Sequence, residues 1–255
     1  YNAADAMIVG RFVGKEALSA VGGSTSMLTQ LIVGFFVGLS SGASVIVSQY
    51  YGAKRPEMVG YAVHTALMFS ILSGIVLMFV GIGLAPFLLE SMGTPEDVLG
   101  LSVVYLRIYF AGIIANLVYN VGAAILRAVG DSKRPLYFLA ASCMVNIALD
   151  IVVVVFFRLG VVGAAIATIL SQLFSAFLVV VCLIRTKDMH RLVLRKLRLD
   201  GRMLKRIIRI GLPAGMQSVM YGLSNVIIQS GINSLGTNTV AAWAAYSTLD
   251  SMFWM

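Results

Sequence analysis

144-MVNIALDIVVVVFF-157 holds twelve apolar residues among fourteen, and inside it stand Asn146 and Asp150, four positions apart. The stretch belongs to a longer apolar run, 136–157. A helix needs about 20 such residues to cross a bilayer. Runs of that length recur at 27–51, 61–89, 98–126, 160–184 and 207–235. The whole chain is 59% hydrophobic and only 12% charged, whereas a soluble domain carries roughly 25% charge. The runs are too continuous for the ten-residue alternation of a membrane barrel. The sequence therefore predicts an all-α polytopic membrane protein.

Tyr1 already stands within an apolar helical pattern, and 251-SMFWM-255 stops inside another. The expected organisation is a piece of a longer protein. A six-helix bundle fills 1–184, its first helix truncated. A basic connector follows at 185–206. Residues 207–255 then supply the first helix and part of the second helix of another bundle. A repeat supports this division: 13-VGKEALSA-20 matches 235-LGTNTVAA-242 at an offset of 222, pairing Gly14 with Gly236 and Ala20 with Ala242. Six spans per repeat is an even number, so both halves share one orientation, and about twelve spans are expected in the intact protein.

The net charge of +8 could point to a nucleic-acid partner, but its distribution points elsewhere. Ten Lys and Arg against two Asp fall between Arg185 and Arg209, equal to the excess of the entire chain. Smaller basic clusters sit at Lys54/Arg55 and Arg127/Lys133/Arg134, while 90-ESMGTPED-97 is acidic and 157-FRLG-160 nearly bare. Basic loops alternating with acidic or short ones follow the positive-inside rule. They put loops 52–57, 127–135 and 185–206 in the cytoplasm, and those near 14, 90–97 and 158–160 outside. The cations then face anionic lipid headgroups of the inner membrane, and nucleic acid is not an expected partner. Cys143 and Cys182 fall within spans and form neither a disulfide framework nor a metal pair by spacing.

Asn146 and Asp150 share one face of the fifth span. Asp150 lies nine residues below the outer turn at Leu159-Gly160, Thr168 is about as deep on the sixth span, and Asp5 stands nine residues before Gly14. At 1.5 Å per residue all lie about 13 Å below the outer helix ends. The small residues of 160-GVVGAAIAT-168 allow close helix approach there. Thr168 alone could simply bond back to the Ala164 carbonyl. Two acids at one depth without a Lys or Arg are different. An intramembrane Asp costs about 3 kcal/mol and marks an ion or proton path. The pair must draw H⁺ or a small hard cation such as Na⁺ from solution.

At these residues the sequence resembles the multidrug and toxic compound extrusion (MATE) family, in its bacterial and archaeal branch. The resembling stretches are 2-NAADAMIVGRFVG-14, 48-SQYYGAKR-55, 126-LRAVGDSKRP-135, 146-NIALDIVVVVFFRLGVVGAAIAT-168 and 211-GLPAGMQS-218. The resemblance implies a cation site for H⁺ or Na⁺ in the first bundle at Asp5, Asn146, Asp150, Thr168 and the Ala164 carbonyl. It also implies twelve helices in two bundles around a cleft, and drug efflux by antiport through alternating access, without a bound cofactor. Another branch carries a Glu in the seventh span eight residues after the Pro; here that position is Tyr221.

For the substrate cleft, the seventh span offers Asn225, Gln229 and Asn233 in one stripe. Gln30, Tyr109, Asn116, Tyr119 and Asn120 are further candidates, with Asp250 in the eighth span. Small amphiphilic or cationic molecules are the expected substrates, and a monomer is the expected state. The alternative within transporters is a lipid-linked precursor flippase of the same superfamily. A membrane enzyme would need clustered acids for a metal and diphosphate, a channel a filter of carbonyls or charged rings, and a primary pump a phosphate loop. None of these is legible.

Overall fold

The apolar runs are helices. The computed structural model describes residues 2–234, and every element among them is helical. In chain order these are α1 (Asn2–Phe12), α2 (Lys15–Gly22), α3 (Ser24–Gly52), α4 (Pro56–Ser91), α5 (Glu96–Ala111), α6 (Ile113–Ala128), α7 (Lys133–Asp150), α8 (Gly160–Arg185) and α9 (Gly201–Ser234). The stretches Lys15–Gly52, Pro56–Ser91, Lys133–Phe156 and Gly160–Arg185 are each long and apolar enough to cross a membrane. The second half of the repeat, 235–242, and Asp250 lie outside the described residues.

Three details depart from the straight spans expected. The run at 98–126 is a broken span: α5 and α6 meet at Gly112 with a bend of 50°. Gly112 stands in close packing at the break: a Cβ on it would lie 2.8 Å from Cγ2 of Ile169 on α8. The fifth span changes at Asp150, after which Ile151–Phe156 is π-helical, with Phe157 N–H donating to the Val152 carbonyl. Such wide turns concentrate at functional sites. Finally, α9 runs as one helix through Pro213 and is more polar than the other spans.

The connector is shorter and less superficial than expected. Residues from Gly201 onward already belong to α9, and Leu192 and Met203 enter the same core as Val47, Val63 and Ile125. Leu192 N–H donates to the Leu183 carbonyl at 2.9 Å, and Asp200 N–H to Thr65 Oγ1 at 3.2 Å. Tyr51 donates to Asp188 Oδ2 at 2.8 Å. The connector is thus stitched onto the inner ends of α3 and α4.

The tightest helix pair is α3 with α9. Gly34, Gly38 and Gly42 recur every fourth residue on α3, opposite Gly211 and Gly215 on α9. A Cβ on Gly38 would sit 2.6 Å from Cα of Gly215, and one on Gly215 would sit 2.7 Å from the Phe35 carbonyl oxygen. The backbones touch, as small residues permit in lipid. Gly38→Ala should therefore force the helices apart and cost about 1–3 kcal/mol. Gly34→Ala, whose Cβ has only Ser218 Cβ at 3.8 Å, should be near neutral. Thermal unfolding of the two purified variants checks this; equal losses would contradict the packing.

Membrane orientation has its own check. Gly93 and Gly130 adopt φ +68° and +89°, so a cysteine fits better beside them, at Met92 and Ser132. With Cys143 and Cys182 replaced by Ala, an impermeant thiol reagent on intact cells should label Met92→Cys and spare Ser132→Cys. The reverse pattern would invert the topology.

Candidate cation site

Asp5, Asn146, Asp150, Ala164 and Thr168 are all fully buried, with 0% exposure each. They come from α1, α7 and α8, and Asp5, Asp150 and Thr168, which the sequence placed at one depth, lie together. The small stretch at the start of α8 makes this possible: Gly163, Ala164, Ala165 and Ala167 are buried, and a Cβ on Gly163 would press on Val153 at 3.1 Å.

Thr168 Oγ1 donates to Asp5 Oδ2 at 2.6 Å. The hydroxyl therefore serves the acid of another helix instead of bonding back to Ala164. Asp150 stands beside Asp5, near enough for the two carboxyl groups to interact directly. Asp5 Oδ1, both oxygens of Asp150 and both polar atoms of Asn146 have no hydrogen-bond partner among the described residues. Buried polar atoms are almost always paired, and no basic side chain forms an ion pair with either acid among the described residues. Two carboxylates side by side in an apolar medium repel and are poorly solvated. Carboxylate, amide and hydroxyl oxygens form a hard donor set suited to H⁺ or Na⁺.

Tyr105 and Gln172 escaped the sequence reading. Tyr105, 2% exposed, lies within electrostatic reach of both Asp5 and Asp150. Gln172, 3% exposed, lies beside the Tyr109 hydroxyl, and its Oε1 is unpaired among the described residues. The signal was spacing: Gln172 follows Thr168, and Tyr109 follows Tyr105, by four residues. Each pair shares a helix face. Tyr109 thus flanks the acids.

The other cleft candidates separate into two groups. Gln30 and Asn225 meet in a cavity of about 420 Å³ between α3 and α9, together with Met27, Ser218 and Tyr221. Asn116, Tyr119 and Asn120 lie away from it. Asn120 Nδ2 donates to the Asn116 carbonyl and Oδ1, both at 2.9 Å, and Tyr119 donates to the Pro135 carbonyl at 3.0 Å. Gln229 and Asn233 continue the α9 helix; their side chains lie outside the described set.

An acid pair buried among long apolar helices marks a polytopic membrane protein, and comparison with known proteins agrees on that class. The MatE family model matches residues 1–152, and the chain belongs to that family. It is 35% identical over 253 residues to the probable multidrug resistance protein YoeA of Bacillus subtilis strain 168, covering 96% of this chain and 54% of that protein. Multidrug export protein MepA of Staphylococcus aureus strain MRSA252 is 23% identical over 224 residues, covering 86% of this chain and 50% of that protein. A crystal structure of MATE in the bent conformation superposes with TM-score 0.89 at 28% identity, covering 99% of this chain and 56% of that one. An inward-facing MATE transporter of the MOP superfamily gives 0.82 at 28% identity, over 95% and 55%. The chain spans about half the length of the relatives it matches. Family and helices together make it a multi-pass protein of the cell membrane.

Thr168→Ala should strip Asp5 of its donor. A hydrogen bond to a charged group contributes about 1.5–3 kcal/mol, and Thr168→Ser should retain most of it. Thermal unfolding of both variants decides: equal destabilisation by Ser and Ala would mean that the methyl group, not the hydroxyl, matters.

Proposed function

We propose that this chain forms the first lobe, and the opening of the second, of an antiporter that exports amphiphilic or cationic small molecules in exchange for H⁺ or Na⁺. The observation that carries the reading is the buried pair Asp5/Asp150, whose free oxygens have no protein donor or cation among the described residues. Asp150 is the main cation ligand. Asp5 shares the charge under the Thr168 hydroxyl, and Asn146 and the Ala164 carbonyl complete the oxygen set. The names of the relatives, a probable multidrug resistance protein and a multidrug export protein, support the substrate class.

Coupling follows from electrostatics. A cation entering from outside offsets the repulsion within the pair, lets α1, α7 and α8 close on it, and disfavours the substrate-loaded arrangement. Its release inside restores repulsion and reopens the cleft. The membrane potential supplies about 2.3 kcal/mol per charge per 100 mV. The cavity holding Gln30, Tyr221 and Asn225 offers substrate an aromatic face and two amides. Inward- and outward-facing structures of MATE transporters both resemble this chain, at TM-scores of 0.82 and 0.86, which supports alternating access.

Asp150→Asn in the full-length protein keeps shape and removes charge, so dye efflux driven by an imposed H⁺ or Na⁺ gradient should fall to background while insertion is retained. Asp5→Asn should behave alike. Wild-type efflux by Asp150→Asn would end the coupling role. Transport of a lipid-linked sugar in preference to the dye would move the protein to the flippase class.

A further inference from the structure

On the face that the basic loops assign to the cytoplasm, the connector and the first turns of α4 enclose a cavity of about 630 Å³. Arg191, Arg195, Lys196 and Arg198 line it, with Glu57 as an acid of its wall. Among the described residues none of the four cations forms an ion pair. Arg198 instead lies over the Tyr61 ring, 4.7 Å from its centroid. Four cations held around one hollow repel one another, so the arrangement favours an anion inside it.

The hollow is built, not incidental. His64, 6% exposed, is fixed at its floor: one ring nitrogen contacts the Gly60 carbonyl at 2.6 Å, and Nε2 accepts the Val193 N–H at 3.0 Å. Those bonds anchor the stretch of chain that carries the arginines. The Leu192 and Asp200 bonds pin that stretch on both sides. Apolar side chains stand exposed in the same segments, with Leu194 58%, Leu199 41% and Met58 37% accessible. A soluble anion has no use for them, whereas acyl chains do. Basic pockets at the cytoplasmic ends of spanning helices suit lipid headgroups.

We propose that this cavity binds the phosphodiester headgroup of an anionic phospholipid of the inner leaflet. Arg195, Lys196 and Arg198 grip the phosphate, and the chains lie along Leu194 and Leu199. The lipid then clamps the connector, which leads directly into α9, onto α4. The site is independent of the acid pair and stands or falls apart from the transport reading.

Native mass spectrometry of the delipidated full-length protein tests it, with phosphatidylglycerol and phosphatidylcholine as probes. Phosphatidylglycerol should be retained over phosphatidylcholine. Its affinity should fall about tenfold or more in R195Q/K196Q/R198Q, each cation near anionic lipid being a substantial attraction. The control R185Q/K187Q/R202Q removes as much charge from the same region but none from the cavity, and should change affinity far less. Should the first triple fail to fold, R195Q/K196Q, at two exposed positions, carries the same expectation. Equal loss in both triples would mean diffuse attraction and no site. Equal retention of the two lipids would overturn the proposal, as would displacement by millimolar inorganic phosphate, which would make the ligand a soluble anion.

Discussion

Two carboxyl groups packed against each other away from water cannot both keep a full charge without a compensating cation. Asp5 and Asp150 are in that position, and the surrounding architecture serves it. Three helices must converge to enclose the pair, which requires the small residues of α8 and brings α1 into the bundle through the Thr168–Asp5 hydrogen bond. The π-helical segment begins at the residue after Asp150, where a regular α-helix would carry the following residues onto different faces. The kink at Gly112 sends α6 away at an angle from α5, whose Tyr105 and Tyr109 flank the acids.

The connection from the acid pair to the cleft runs through shared helices. α8 carries Thr168 to the site and Leu183 to the connector bond; the connector continues into α9, and α9 lies backbone to backbone along α3. The cavity with Gln30 and Asn225 opens along that same α3–α9 contact. Under the proposed antiport, repacking of the first bundle would reach this cavity through closely packed helices.

Much of this was legible before any coordinates. Apolar run length gave the spans, because a bilayer leaves the backbone few alternatives to helix. Counting residues from the outer turns set Asp5, Asp150 and Thr168 at one depth, with Asn146 one turn away on the face of Asp150, because helical rise is nearly constant. The details that escaped depend on tertiary packing. Nothing in 98–126 announces a break at Gly112 until Ile169 presses on it. The run of valines after Asp150 reads as an ordinary helix or strand. The connector reads as a polar, basic stretch, yet its Leu192 is drawn into the core, where the bonds to α4 and α8 hold it. The α3 glycines at four-residue spacing were visible, but their partner helix was not.

In the proposed antiporter the acid pair takes up a cation. Cation uptake by the purified full-length protein measures it directly, following radiolabelled Na⁺ in parallel with proton uptake or release as pH and Na⁺ are varied. The account predicts that wild-type protein takes up H⁺ or Na⁺ in mutual competition, and that Asp150→Asn loses this uptake while remaining folded. Undiminished uptake by Asp150→Asn would contradict it, and the two acids would then be structural.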